Sequence, residues 1–148
     1  MLETKPKSLV IRQLKQAGAV VAMSHLALWY YCLMSSDCIF CSIVDGQTPA
    51  DVVSETETTL FFRDINPQAP VHVLGITKEH ISSVAALDVE HDAVIGALLR
   101  QAGSVADQLG VKESGFRVTT NTGSDADQSV PHVHVHVLGG EPLGKMRC

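Results

Sequence analysis

Between His132 and Val137 the sequence alternates strictly between histidine and valine, and this pattern constrains the fold more than any other feature. A repeat of two residues is typical of a β-strand, whose successive side chains point to opposite faces of a sheet. One face then carries His132, His134 and His136, spaced about 7 Å apart in succession, and the valines between them face a core. Buried imidazoles need partners, and such a row can bind a metal or supply a nucleophile or an acid and base.

Composition limits the number of domains and the class of partner. A length of 148 residues with 45% hydrophobic side chains suits one domain with a packed core. The net charge is −5, and the first 15 residues carry four basic side chains against one acidic side chain, so the rest is more acidic still. An acidic body argues against binding a nucleic-acid backbone. A small ligand that carries a phosphate is compatible with it, because local backbone donors can outweigh the overall field.

The first part of the chain differs in character from the rest. Residues 17–34 are mostly apolar and follow a basic stretch, which resembles a signal-anchor core at the short end of a membrane span. Met34 is followed at once by Ser-Ser-Asp-Cys, which suits a natural start. We therefore expect residues 1–36 to be a dispensable extension or a membrane-anchor-like segment, with a packed helix as the third alternative, and residues 37–148 to be the functional domain. Membrane contact is expected only if residues 17–34 are a real anchor.

Turn signals and hydrophobic periodicity divide the body into short strands and one long helix. Asp88 is a predicted N-cap, apolar residues follow at helical spacing, and Gly110 can close the C-terminus. The predicted strands are Val52–Glu55, Thr59–Arg63, Val71–Ile76, Phe116–Asn121 and His132–Leu138. These elements predict an α+β fold, a five-stranded antiparallel sheet with one long helix and short helical segments.

Cys38 and Cys41 are separated by two residues, a spacing found in redox pairs, in structural zinc sites and between unrelated thiols. The four cysteines do not have the dense spacing of a secreted disulfide scaffold, so we expect a reducing, cytoplasmic compartment. A redox pair usually precedes a long helix, whereas turn signals follow here within a few residues. The local sequence therefore favours a metal site.

Four motifs in order resemble the histidine triad (HIT) family over about residues 37–144. They are C-I-F-C at 38–41, F-R-D-I-N-P-Q-A-P at 62–70, K-E-H-I at 78–81 and Q-S-V-P-H-V-H-V-H-V-L-G-G at 128–140. The final Gly139-Gly140 is similar to the Hint branch, the purine nucleoside phosphoramidases. The resemblance implies a HIT-type fold, a homodimer and a purine nucleotide substrate, with no nucleic acid as a partner.

The resemblance also implies a two-step mechanism. His134 would attack the α-phosphorus of a purine nucleoside 5′-phosphoramidate, and water would release the nucleoside monophosphate from the covalent nucleotidyl-histidine. A neutral imidazole suits this step because it approaches an anionic phosphorus without charge repulsion. His136 would hold a phosphoryl oxygen, and Ser129 would help to protonate the departing amine.

Further residues correspond to binding positions of the family. Asp64 would accept hydrogen bonds from the ribose hydroxyls, and Asn121 and Gln128 would lie on the phosphate side. The apolar slot for the purine corresponds to Phe40, Ile43, Phe62 and Ile65.

The zinc-bearing members of the family imply a set of four metal ligands, namely Cys38, Cys41, His80 and His132. A closed Cys₂His₂ set is typical of a structural zinc ion. It would tie an N-terminal strand to the catalytic strand and leave His134 free, and the chemistry itself would need no cofactor.

Two departures from the family pattern stand close to the predicted site. Ala126-Asp127 replace the paired glycines that often precede Gln-Ser, and a carboxylate there repels a phosphate unless it points away. Leu74-Gly75-Ile76-Thr77 replaces a usual leucine-valine-isoleucine-proline. Of the remaining histidines, we expect His72 to be packed or hydrogen-bonded within its strand and His91 to be solvated.

Three alternative functions fit parts of the same sequence. The first is a Fhit-like dinucleoside polyphosphate hydrolase, against which Gly139-Gly140 argues. The second is a non-catalytic nucleotide- or metal-binding module, against which the intact triad and Ser129 argue. The third places all three triad histidines on one zinc ion, but alternate strand positions are spread over too long a line to share one tetrahedral ion easily.

Overall fold

A computed structural model describes residues 38–145, and the expectations for residues 1–36, including the apolar segment 17–34, lie outside them. The helices are α1 (Ile39–Val44) and α2 (Asp92–Gln108), with 3₁₀ turns at Val84–Ala86, Val89–His91 and Ser124–Ala126. The strands are β1 (Val52–Glu55), β2 (Thr59–Arg63), β3 (Val71–Thr77), β4 (Phe116–Thr119) and β5 (His134–Gly139). Within residues 38–145, no helix is long and apolar enough to cross a membrane.

The five strands form one antiparallel sheet in the order β1-β2-β3-β5-β4. The last strand is therefore inserted between β3 and β4, where it is paired on both sides. Ile76 lies opposite His134 and Leu74 lies opposite His136 in the β3–β5 register. The predicted α+β architecture is confirmed, and its histidine-bearing strand lies in the interior of the sheet rather than at an edge.

Alternation along the strands produces two apolar layers, one on each face of the sheet. On one face, α2 packs through Leu98, Ala102 and Val105 against the predicted core valines, which are Val133 just before β5 and Val135 and Val137 within it. On the other face, Phe40 of α1 packs against Leu60, Phe62, Leu74 and Ile76. His134 lies on this second face, where Phe40 contacts it, so α1 helps to cover the face that carries His134.

The strand bounds differ from the prediction where backbone groups find partners outside the ladder. β5 begins at His134 rather than His132, because the His132 N–H donates to the Val130 carbonyl and the Val133 N–H donates to the Ile81 carbonyl. β4 ends at Thr119 rather than Asn121, and β3 extends by one residue to Thr77. His132 therefore lies in the turn before the strand.

Two further local predictions need correction. The expected N-terminal strand is the short helix α1, in which the Ser42 N–H donates to the Cys38 carbonyl. Asp88 caps the 3₁₀ turn Val89–His91 that leads into α2 rather than α2 itself, and His91 is not simply solvated. Its Nδ1 accepts from the Asp88 N–H while the Asp88 carboxylate accepts from Glu90, and these contacts form a capping box.

Gly75 explains one departure from the family pattern. It lies opposite Phe61 in the β2–β3 register, and a Cβ atom added at Gly75 would overlap the Phe61 ring. Phe61 is fully buried in the core beneath α2. A large side chain on β2 thus requires a residue without a side chain on β3.

Candidate active site and metal centre

His134 is held in one tautomer by the backbone of its neighbour. The side chain is buried, with 3% of its surface exposed, and its Nδ1 lies 2.7 Å from the His132 carbonyl oxygen. A carbonyl oxygen only accepts, so Nδ1 carries the hydrogen and donates it. The lone pair is therefore on Nε2, which can attack an electrophile or accept a proton.

An aromatic wall stands beside this imidazole. Phe40 contacts His134 edge to face at a centroid distance of 5.4 Å and contacts Phe62 at 5.7 Å. Ile43 packs partly buried against the same cluster. Ile65, by contrast, is 92% exposed. Three of the four residues predicted for an apolar slot are thus brought together, and the fourth stands outside the packed cluster.

His136 belongs to a hydrogen-bonded group that includes a residue given no functional role by the sequence interpretation. Its Nδ1 lies 2.8 Å from Nε2 of His72, and the same His72 nitrogen lies 3.4 Å from Oδ2 of Asp64. On its other side, Nδ1 of His72 accepts a hydrogen bond from the Gln68 backbone N–H at 3.1 Å. Strand alternation could have predicted this contact. His72 and Leu74 lie on the same face of β3, and Leu74 is the register partner of His136.

Burial sets the charge state of this pair. Desolvation lowers the pKa of His72, partly offset by the Asp64 carboxylate. Desolvation also lowers the pKa of His136, and the neighbouring His134 and His72 lower it further while Asp64 opposes them. Both imidazoles are therefore neutral at pH 7.

The loop before β5 is held by the two polar residues that the family resemblance places near the phosphate. Gln128 accepts from the Gly123 N–H and donates to the Ser82 and Val130 carbonyls. The Asn121 side-chain amide donates to the Ala126 carbonyl. Ser129 follows this loop and is exposed. Asp127 is exposed as well and has a left-handed backbone with φ of 57°, a conformation that glycine adopts without strain.

Cys38, Cys41, His80 and His132 form a group that can hold a metal ion, since their ligand atoms all lie within 4.8 Å of one another. The His132 Nδ1 lies 3.4 Å from the Cys38 sulfur and 3.7 Å from the Cys41 sulfur. The Cys41 sulfur lies 3.2 Å from the His80 Nδ1. Neighbouring ligand atoms of a tetrahedral zinc ion are separated by roughly 3.3–3.8 Å, given the usual bond lengths to nitrogen and sulfur. The donor set and its spacing therefore fit.

His132 has the tautomer that such a ligand needs. Its Nε2 lies 2.8 Å from the Thr77 carbonyl oxygen, so Nε2 carries the hydrogen and Nδ1 offers its lone pair to the cluster. Burial lowers the pKa of His132 to about 4; the Thr77 hydrogen bond opposes this effect, and the nearby His80 and His134 add to it. The ring is therefore neutral at pH 7, as metal ligation requires.

Comparison with known proteins gives concordant matches over the described part of the chain. Residues 37–146 match a protein family described as "Scavenger mRNA decapping enzyme C-term binding". The chain is 39% identical over 113 residues to a purine nucleoside phosphoramidase of Escherichia coli K12, which covers 76% of this chain and 95% of the relative. It is 44% identical over 110 residues to an uncharacterised HIT-like protein of Synechococcus elongatus, with 74% and 96% covered. A solved structure of a HIT family hydrolase from Clostridium thermocellum superposes with a TM-score of 0.73 at 40% identity, covering 75% of this chain and 96% of that one.

Proposed function

The chain belongs to the histidine triad family and is a hydrolase, and on that premise we propose that it cleaves the P–N bond of purine nucleoside 5′-phosphoramidates. The observation that carries this proposal is the fixed tautomer of His134, whose Nδ1–H donates to the His132 carbonyl. A neutral nitrogen lone pair is the nucleophile that an anionic phosphorus tolerates best. The name of the Escherichia coli relative supports the choice of substrate.

The proposed reaction has two steps. The His134 Nε2 forms a bond to the α-phosphorus, and the P–N bond breaks with its electron pair going to the amine nitrogen. The Ser129 hydroxyl passes a proton, drawn from solvent, to that nitrogen, and the amine leaves. Water then attacks the nucleotidyl-histidine, the P–Nε2 bond breaks and its electron pair returns to Nε2. The water gives up a proton to solvent, so that the nucleoside monophosphate leaves and the neutral imidazole is restored.

The other proposed roles follow the surroundings of His134. His136 donates a hydrogen bond to a phosphoryl oxygen. Asp64 binds the ribose hydroxyls, since its Oδ1 accepts from the Asn66 N–H and the carboxylate retains further lone pairs. The aromatic wall of Phe40 and Phe62, with Ile43 and the exposed Ile65, contacts the purine. Asn121 and Gln128 act by holding the phosphate-side loop in shape, which their hydrogen bonds to that loop support.

The test compares hydrolysis of adenosine 5′-phosphoramidate and of a diadenosine polyphosphate at equal concentration by the wild type and His134→Ala. We expect rapid release of AMP from the phosphoramidate, with loss of at least about 10³-fold in the variant because the nucleophile is gone. Rapid quenching and intact mass spectrometry should trap one added nucleotidyl group on the wild type. That group should be absent from the variant.

Other outcomes assign other functions. Preferential cleavage of the dinucleotide, abolished in the same variant, would indicate a dinucleoside polyphosphate hydrolase. Tight binding of AMP without turnover of either substrate would indicate a nucleotide-binding module. Unchanged turnover in His134→Ala would exclude the proposed nucleophile.

We propose that the ion held by Cys38, Cys41, His80 and His132 is structural zinc. Two thiolates and two imidazoles suit zinc, and a set of four protein ligands leaves no position for a substrate. When bound, the ion would join α1 to the turn that leads into β5. A reducing compartment such as the cytoplasm would preserve the two thiols as ligands.

We propose that residues 37–148 form the functional domain, that residues 1–36 are an extension it does not need, and that the chain forms a homodimer. The family match over residues 37–146 supports the boundary. β4 is an edge strand whose unpaired backbone groups a second copy could satisfy. Light scattering of the full chain should give twice the monomer mass. A chain that starts at Met34 should keep the fold, should also have twice its own monomer mass, and should hydrolyse the phosphoramidate at the same rate.

A further inference from the structure

Asp64, His72 and His136 form a second group whose ligand atoms lie within 4.8 Å of one another. Its ligand atoms are as close together as those of Cys38, Cys41, His80 and His132, so distance alone would allow a metal ion in both groups. The two groups differ in which ring nitrogens must carry a hydrogen, and this difference decides whether a group can bind a metal.

The Gln68 backbone N–H fixes the state of His72. It points at Nδ1 of His72 from 3.1 Å, and a backbone N–H can only donate, so Nδ1 must hold a lone pair. A doubly protonated His72 is disfavoured, because it would turn a second hydrogen toward the Gln68 hydrogen. Metal ligation through Nε2 is disfavoured for the same reason, because a ligating histidine normally carries its hydrogen on the other nitrogen.

The hydrogen of His72 is therefore on Nε2, and its nearest acceptor is Nδ1 of His136. That contact is 2.8 Å, whereas Oδ2 of Asp64 lies 3.4 Å away. Since Nδ1 of His136 accepts, the hydrogen of neutral His136 must be on Nε2. One backbone N–H thus sets the tautomers of two successive imidazoles.

We infer that His72 is a positioning residue that holds His136 as its Nε2–H tautomer, so that His136 meets the substrate as a neutral hydrogen-bond donor. The lowered pKa values of both imidazoles agree with a neutral pair. The role toward the substrate rests on the proposed function, whereas the tautomer itself is a property of the protein alone.

The inference gives the two neighbouring histidines of β5 opposite tautomers. His134 carries its hydrogen on Nδ1, because it donates to the His132 carbonyl, and His136 carries it on Nε2. Their ring centroids are 5.2 Å apart. One ring thus presents a lone pair and the next presents a hydrogen, which is what a nucleophile and a phosphoryl-oxygen donor respectively require.

Ring nitrogen chemical shifts of ¹⁵N-histidine-labelled protein at pH 7.5 test the tautomer without any turnover. The His136 signal is identified by its loss in His136→Gln. We expect a hydrogen on Nε2 of His136 and on Nε2 of His72 in the wild type. A hydrogen on Nδ1 of His136 would overturn the inference, even if the proposed hydrolysis is confirmed.

Two substitutions of His72 separate its contacts. His72→Asn keeps an acceptor where Nδ1 meets the Gln68 N–H but is too short to reach His136. His72→Gln places an amide N–H where Nε2 was, with the Asp64 carboxylate favouring that orientation. We expect the Nε2–H form of His136 to dominate in His72→Gln and to mix with the Nδ1–H form in His72→Asn.

Turnover of the phosphoramidate should follow the tautomer. We expect kcat/KM to fall about 10- to 100-fold in His72→Asn and by less than about threefold in His72→Gln. Equal losses in two variants of equal melting temperature would reduce His72 to a packing residue and overturn its positioning role.

Cobalt titration tests the metal alternative. We expect one equivalent of Co²⁺ to bind, with the absorption of cobalt–thiolate bonds. A second equivalent without that absorption, lost in His72→Asn, would show that Asp64, His72 and His136 form a metal site and would overturn the inference.

Discussion

At the scale of single residues, three histidines of the site each take their state from one backbone group. The Thr77 carbonyl holds the hydrogen of His132 on Nε2, and the His132 carbonyl holds that of His134 on Nδ1. The Gln68 N–H reaches His72. These backbone groups lie in other segments of the chain or in the turn before β5. Neighbouring histidines of one short motif therefore carry their hydrogens on different ring nitrogens.

Asp127 provides a prediction about charge. It occupies a left-handed position on the phosphate-side loop, where Asn is tolerated as well as Asp. We expect Asp127→Asn to lower KM for the phosphoramidate several-fold with kcat unchanged, because a negative charge near an anionic substrate is removed. The difference in KM between Asp127→Asn and the wild type should become smaller when the salt concentration is raised, because salt screens the charge.

A matched change shows whether position matters. Asp125→Asn removes the same charge two residues earlier, in the 3₁₀ turn. An equal decrease in KM in both variants would mean that only net charge counts. No change in Asp127→Asn would mean that its carboxylate points away from the substrate.

His72 and His136 predict a dependence of stability on pH. Burial lowers both pKa values below 6.5, so below pH 6.5 the unfolded chain binds protons that the folded protein does not. The free energy of unfolding should therefore fall as the pH decreases through 6.5 and level off above it, where the unfolded chain has lost these protons. His132, whose pKa burial lowers to about 4, contributes to the fall in the same direction. Urea unfolding between pH 7.5 and 5.5 measures the slope.

Removing one of these groups should reduce that slope. We expect a shallower dependence in His72→Gln than in the wild type, whereas Gly103→Ala, which changes no titratable group, should keep the wild-type slope. A slope in His72→Gln as steep as that of the wild type would contradict the attribution to this pair.

At the scale of elements, the fit of β2 to β3 depends on Gly75 lying opposite Phe61. We expect Gly75→Ala to reduce the free energy of unfolding by about 1–3 kcal/mol, because its Cβ would overlap the buried ring. In a Phe61→Leu background the same change should cost less, by roughly 1 kcal/mol. Urea unfolding of the four proteins gives the coupling.

Gly103 provides a control for Gly75, because the same substitution by alanine is expected to stabilise the protein there. A Cβ atom at Gly103, inside α2, meets nothing within 4 Å. Gly103→Ala should therefore stabilise the protein by about 0.5–1 kcal/mol, because it raises helix propensity. Destabilisation of similar size at both positions would exclude the packing explanation for Gly75.

Periodicity predicted the elements well where side-chain pattern decides them, as in β1, β2 and α2. It failed where backbone partners decide them. The alternation at His132 continues the strand pattern, yet the His132 and Val133 N–H groups bond to Val130 and Ile81 instead of a ladder. The prediction that His72 is packed or hydrogen-bonded is confirmed, but the sequence does not identify its partner, His136, which lies 64 positions away along the chain.

At the scale of the whole described domain, two polar groups occupy the same side of the sheet, one at the turn before β5 and the other on β5 itself. The cysteine-containing group connects α1, the segment after β3 and the turn before β5 through Cys38, His80 and His132. The second connects β3 to β5 through His72 and His136. His132 links the cysteine-containing group to the proposed nucleophile, because its side chain belongs to that group and its carbonyl accepts the hydrogen bond from His134 Nδ1.

This linkage predicts that metal removal affects stability and activity together. Dialysis against a strong chelator should lower the melting temperature by roughly 10 °C, because binding free energy of the folded state is lost. It should also reduce kcat, because a displaced His132 carbonyl no longer holds His134. Stoichiometric Zn²⁺ should restore the melting temperature and kcat. Cys41→Ser should have the melting temperature and kcat of the chelated protein, and chelator should not change them further. Cys148→Ser removes a thiol that is not one of the four proposed ligands and should behave as the wild type. A wild type that contains no zinc and melts unchanged in chelator would exclude the structural ion, while leaving the proposed nucleophile to stand on the His132–His134 hydrogen bond alone.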